Sequence, residues 1–161
     1  MRRIKTLGWL AALGFAGMLL GCAEGTSAEE QSKGVMERLD ESYYLQQGES
    51  EFHVYAIKDP HCPACSNLRN TVDGGATPNV EWRWVPVGFL GADARADAAE
   101  MIENAHSVDG LEAVDSNTRL AQQLGVRSVP TVFYRDTEGQ VRAFVGGDPQ
   151  ALEALERMAA E

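Results

Sequence analysis

The chain runs to 161 residues and carries 24 acidic against 14 basic side chains, a formal charge of −10 at neutral pH. That balance argues against a nucleic-acid partner, whose phosphates call for a basic face, and the length leaves room for one hydrophobic core rather than two. The three cysteines are an odd number, so they must be divided among roles before any pairing is assumed.

Residues 1–5, Met-Arg-Arg-Ile-Lys, followed by an apolar stretch over residues 6–20, have the charged and hydrophobic regions of an export signal. The apolar stretch is short for a membrane-spanning helix of about 20 residues. It ends in Leu19-Leu20-Gly21-Cys22, which resembles the lipobox of bacterial lipoproteins. The resemblance implies cleavage before Cys22 and acylation of its sulfur, each buried methylene adding about 0.8 kcal/mol of membrane affinity. An uncleaved anchor and a plain secretory signal are the alternatives. Ala23 stands where such lipoproteins carry Asp for inner-membrane retention, which implies a periplasm-facing protein delivered to the outer membrane. Removing residues 1–21 leaves 140 residues with 11 basic against 24 acidic side chains, a charge of −13. The expected organisation is a lipoprotein signal peptide over 1–21, a flexible tether over 22–33 and one domain over 34–161, the tether being Glu/Ser/Gly-rich without apolar periodicity.

Within the domain, Val35, Met36, Leu39 and Tyr43 follow helical spacing and predict a short amphipathic helix ending near Gly48. Residues 52–58 alternate around Val54, Ala56 and Ile57 and read as a strand stopped by Asp59-Pro60. Cys62 then opens a helix, with Pro63 at its first position, Cys65, Leu68 and Val72 on one face, and Gly74-Gly75 at its end. Residues 80–87 form a second strand with Val80, Trp82 and Trp84 on one side; both tryptophans read as core or sheet-face residues. Helical segments are expected over 93–105 and 116–124. Residues 131–134 and 140–145 read as strands joined by the hairpin signal Asp136-Thr137-Glu138-Gly139, and Asp148-Pro149 caps a last helix carrying Leu152, Leu155 and Ala159 inward. This order is an α/β fold with mixed strand directions.

Cys62-Pro63-Ala64-Cys65 is the motif that carries chemistry. Two cysteines separated by two residues can close a small disulfide ring, and a helix start there makes the sulfurs unequal. Cys62, near the free amides of the first turn, is favoured as thiolate by the positive end of the helix dipole and is the expected nucleophile. Cys65, within the helix, is the expected resolving thiol. The motif is shared with zinc sites and haem attachment sequences. Haem attachment needs His after the second Cys, where this chain has Ser66, and a structural zinc needs four ligands, for which only His53, His61 and His106 remain. Redox chemistry is therefore preferred, with no metal and no cofactor besides the redox-active pair; copper or zinc binding and an inert disulfide remain the alternatives. His61, adjacent to Cys62, could stabilise the thiolate or simply face solvent. His53 and His106 read as surface or core-edge residues.

The combination of Cys-x-x-Cys at a strand-to-helix turn, Ser128-Val129-Pro130-Thr131 opening a later hairpin, and a terminal helix resembles the thioredoxin fold. Residues 55–65, Tyr-Ala-Ile-Lys-Asp-Pro-His-Cys-Pro-Ala-Cys, and residues 84–88, Trp-Val-Pro-Val-Gly, are similar to bacterial thiol:disulfide interchange proteins of the DsbC/DsbG type, including a helical insertion before the Val-Pro segment. The resemblance implies that Pro130 is cis, lies against the Cys pair, and lets the Val129 backbone pair with an extended substrate peptide. A proline there also offers no amide hydrogen and no metal-binding atom. It further implies partners among exported thiol and disulfide proteins, with a separate redox partner that resets the pair.

The chain departs from that pattern in several ways. Only a tether and a short helix stand between Cys22 and the first strand, where the family carries a dimerisation domain, so a monomer is expected. Val129 replaces the usual Thr and is closer to DsbA-type oxidases, and Pro63-Ala64 lacks a His or Tyr. Ala56 occupies the place of thioredoxin's buried acid, six residues before Cys62, while Asp59 reads as a turn cap.

Overall fold

The computed structural model of the chain describes residues 34–161. The expected signal peptide, Cys22 and the tether lie outside the described residues.

Helix α1 (Val35–Asp40) buries Met36 and Leu39 and stops far short of Gly48. The chain turns at Ser42, whose hydroxyl donates to the Leu39 carbonyl at 2.6 Å. The Asn117 carboxamide then takes both backbone groups of Tyr43, accepting from its N–H at 3.0 Å and donating to its C=O at 2.9 Å. Those contacts replace the next helical turn. The chain instead enters an unexpected strand, β1 (Leu45–Gln47), paired antiparallel to β3 (Glu81–Pro86), with Leu45 opposite Trp84. The Gln47 side chain accepts from the Trp84 indole N–H at 2.8 Å, fixing this edge to the core.

Strand β2 (His53–Lys58) lies parallel to β3, and β4 (Thr131–Arg135) and β5 (Val141–Val145) complete a mixed five-stranded sheet of order β1-β3-β2-β4-β5. Because strand side chains alternate, each face receives its own layer. On one face Val54, Ala56, Trp82, Trp84 and Val132 pack against α2 (Pro63–Asp73) and α5 (Pro149–Ala159) through Leu68, Val72, Leu152 and Leu155. Trp82 and Trp84 stack there at 5.0 Å and are fully buried. On the other face Tyr55, Ile57, Val85 and Phe133 meet Met36 and Leu39 of α1 and Ala121 of α4 (Gly110–Gln123).

The helical insertion between β3 and β4 consists of α3 (Ala92–His106) and α4. Helix α4 begins at Gly110, earlier than the expected residue 116, because the Asp109 carboxylate caps it by accepting from the Glu112 amide at 3.0 Å. Ala98, Ala99 and Ile102 of α3 pack on Ala113 and Val114. The helices approach so closely that a Cβ at Gly110 would lie 2.3 Å from the Ala99 carbonyl oxygen.

Candidate active site

The site is built where β2 ends. Asp59 and Pro60 turn the chain, and the Cys62 amide donates to the Asp59 carbonyl at 3.1 Å. Cys62 is the N-cap of α2, with extended backbone at φ −88 and ψ 114, and Pro63 fills the first helical turn, where its missing N–H costs nothing. The Cys62 sulfur takes the place of a capping oxygen: it accepts from the Cys65 amide at 3.3 Å. Its thiol donates to the Val129 carbonyl at 3.3 Å.

Val129 is brought there by β4. Thr131 pairs with Ile57 of β2, so the residues just before β4 lie beside the turn at the end of β2. The Val129–Pro130 bond is cis, in keeping with the resemblance. Pro130 is buried, its carbonyl accepting from the Gly146 amide at 2.9 Å, and Thr131 is buried with its hydroxyl on the Ser128 carbonyl at 2.6 Å.

The two sulfurs face different spaces. Cys62 and Pro63 line a groove of about 550 Å³ together with Phe89, Leu90, Gln122 and residues 126–129. Leu90 is 54% exposed and gives the groove an apolar rim. Cys65 instead borders a separate cavity of about 140 Å³ behind the turn. Burial, reinforced by the hydrogen bond with Cys62, pushes the Cys65 thiol up to about 12, while a backbone hydrogen bond from Asp59 pulls in the opposite direction. Cys65 therefore stays protonated near neutral pH.

Asp59 holds the walls together. Its carboxylate is 1% exposed and accepts from the His61 amide at 2.9 Å, the Phe89 amide at 2.8 Å and the Leu90 amide at 2.9 Å. It caps the turn, as expected, and also clamps the loop after β3 against it. The Cys turn and the part of the groove lined by Phe89 and Leu90 thus share one anchor.

Of the residues singled out in the sequence, Cys62, Pro63 and Val129 meet at the groove, with Cys65 beneath and Pro130 and Thr131 buried behind. Ala64 is exposed in the first turn of α2 and does not line the groove. The His61 ring turns to Asp97 of α3, 2.7 Å away, which raises its pKa above the ordinary value, the hydrogen bond being the main cause. His53 stacks edge-on to Tyr55, and the His106 ring contacts the Tyr44 carbonyl at 2.6 Å. Phe89, Leu90 and residues 126–128 are additions to the site that no motif marks; Lys58, a polar residue ending an apolar strand face, lies within the 55–65 segment, but no role is assigned to it from the sequence.

The thioredoxin-like domain family matches residues 39–159. The chain belongs to this family. The thiol:disulfide interchange protein DsbG of Escherichia coli (strain K12) is 23% identical over 139 residues, 68% of this chain and 55% of that protein. The chain thus spans about half the length of that curated relative. Among solved structures, a periplasmic thioredoxin-like protein from Salmonella enterica serovar Typhimurium superposes with a TM-score of 0.63 at 17% identity, covering 79% of this chain and 97% of the other. The catalytic domain of Proteus mirabilis ScsC gives 0.57 at 15% identity, covering 78% and 95%. At these identities the structures share the thioredoxin-like fold.

Proposed function

We propose that this member of the thioredoxin-like family is a thiol-disulfide oxidoreductase that exchanges disulfides with exported proteins through Cys62 and Cys65. The observation that carries the reading is the placement of the Cys62 sulfur, which receives a helix-start amide and opens onto an apolar groove beside the Val129 carbonyl. The thiolate is the attacking species in exchange, and Cys62 is the sulfur of the pair that opens onto the groove.

A partner segment lying in the groove presents its disulfide to Cys62. Cys62 attacks one sulfur, the other leaves as a thiolate, and a mixed disulfide remains. Cys65 then attacks Cys62, releases the second partner sulfur and closes the Cys62–Cys65 disulfide. The reverse sequence oxidises a partner dithiol. The pair itself is the redox group, and a second protein returns it to its starting state.

The anchoring rests on the sequence. Cys22 is the lipid attachment point, residues 22–33 are the tether, and the domain faces the periplasm as a monomer held at the outer membrane. Exposed thiols and disulfides of exported proteins are then its partners.

The test uses insulin and a reduced test peptide with protein carrying Cys22→Ser. Exchange with either supports the reading, and absence of exchange with both overturns it. Cys62→Ser should abolish trapping of partners, whereas Cys65→Ser should accumulate mixed disulfides; equal trapping by the two variants would reverse the assignment of roles.

A further inference from the structure

One buried cation has no part in the chemistry above. Along the β2 face beneath α2, Val54 and Ala56 join the apolar cluster around Leu68, and the period of two places Lys58 next on that face. Lys58 is 9% exposed, and among the described residues its side chain has no hydrogen-bond or ion-pair partner. Lysine stems are commonly buried with the amine reaching solvent, and the Lys58 amine is not among the wholly buried, unpartnered nitrogens of the described residues, so it needs a space to open onto.

The cavity of about 140 Å³ behind the active-site turn supplies one. Lys58 and Cys65 both line it, together with Asp59, Ser66, Arg69 and Asn70. The volume is sufficient for water to bridge polar groups across it. The charged and titratable groups facing Lys58 are Cys65 and Arg69 of α2 and Asp59 of the turn. The Asp59 carboxylate is engaged by three amides, and Arg69, with its guanidinium on Asp73, does not accept protons. Lys58 is the group on this cavity that can take one. Burial first, and Arg69 second, lower its pKa from the ordinary lysine value, while Cys65 and Asp59 pull it the other way.

We propose that Lys58 is the proton acceptor for Cys65 in the resolving step, an assignment that rests on Cys62 and Cys65 being the redox pair. In the mixed disulfide the Lys58 amine takes the Cys65 S–H proton, directly or through water, and becomes an ammonium. The Cys65 thiolate attacks the Cys62 sulfur, the bond from Cys62 to the partner sulfur breaks, and that sulfur departs with the electron pair as a thiolate. The Cys62–Cys65 disulfide forms as the partner is reduced, and the ammonium returns its proton to the leaving thiolate or to water. Buried lysines with lowered pKa are suited to this role because the amine is a base only when it has lost its charge.

The experiment is a stopped-flow reaction of the reduced full chain carrying Cys22→Ser with one equivalent of 4,4′-dithiodipyridine, monitored by thiopyridone absorbance. Attack by Cys62 releases the first chromophore and attack by Cys65 the second. Lys58→Met should leave the first release within about twofold and slow the second by about tenfold or more. Lys58→Arg, which keeps the charge but cannot deprotonate, should slow the second release as well. Circular dichroism identifies the variants that are folded. A second release unchanged in folded Lys58→Met overturns the role of Lys58 alone, as does a Lys58→Arg variant resolving at the unsubstituted rate. A chain with Lys58 intact that gives no second release overturns the redox-pair reading and this proposal with it.

Discussion

Replacing Asp59 removes the anchor common to the Cys turn and the part of the groove lined by Phe89 and Leu90. Its carboxylate accepts from the amides of His61, Phe89 and Leu90, and hydrogen bonds to a charged acceptor are worth about 1.5–3 kcal/mol each. Part-exposed donors recover some of that from water, so Asp59→Ala should cost about 3–5 kcal/mol, a large share of the stability of an ordinary domain. Asp59→Asn retains one acceptor oxygen and turns an N–H₂ group toward at least one amide donor, for a loss of about 1–3 kcal/mol. Urea unfolding at constant m-value measures both, and hydrogen exchange at Phe89 and Leu90 should accelerate selectively in the Asn variant. A loss below about 1 kcal/mol for Asp59→Ala, with unchanged exchange at those two amides, would refute the clamp.

Gly110→Ala should destabilise the insertion by about 1–3 kcal/mol, because its Cβ meets the Ala99 backbone as well as the Glu103 side chain, and the backbone cannot swing aside; a melting temperature equal to the parent's would show that α3 and α4 part freely. His61 gives a pH signature. Its folded-state pKa is raised, so the Asp97 pairing stabilises fully below the ordinary histidine range and is lost as pH rises through the folded-state value. Asp97→Asn should move the His61 imidazole titration, measured by NMR, down toward 6.5. An unmoved midpoint would show that Asp97 is not the cause.

The features legible in the sequence are those that local rules control. Val54 and Ala56 alternate as a buried strand must, Pro63 marks the first turn of α2, and Asp148-Pro149 marks that of α5. The strand β1 escapes such rules because three residues are too few for alternation to register, and its formation depends on Asn117, which lies far along the chain and takes the Tyr43 backbone. The start of α4 differs from expectation although Asp109 is an ordinary N-cap. At the site, Cys62, Cys65 and Pro130 are recognisable by motif, but Phe89, Leu90 and residues 126–128 are neighbours only after the chain has crossed the helical insertion and returned. Lys58 does leave a local sign: a charged residue at the end of the face on which Val54 and Ala56 are buried.

The central claim, that Cys62 and Cys65 form one reversible redox couple, is tested most directly by equilibrating the folded chain carrying Cys22→Ser with glutathione at graded ratios and counting free thiols. A single two-electron transition involving both cysteines is expected, with a midpoint between about −270 and −120 mV, the span from reducing to oxidising members of the fold. A pair that stays fully reduced or fully oxidised across the whole series would contradict it.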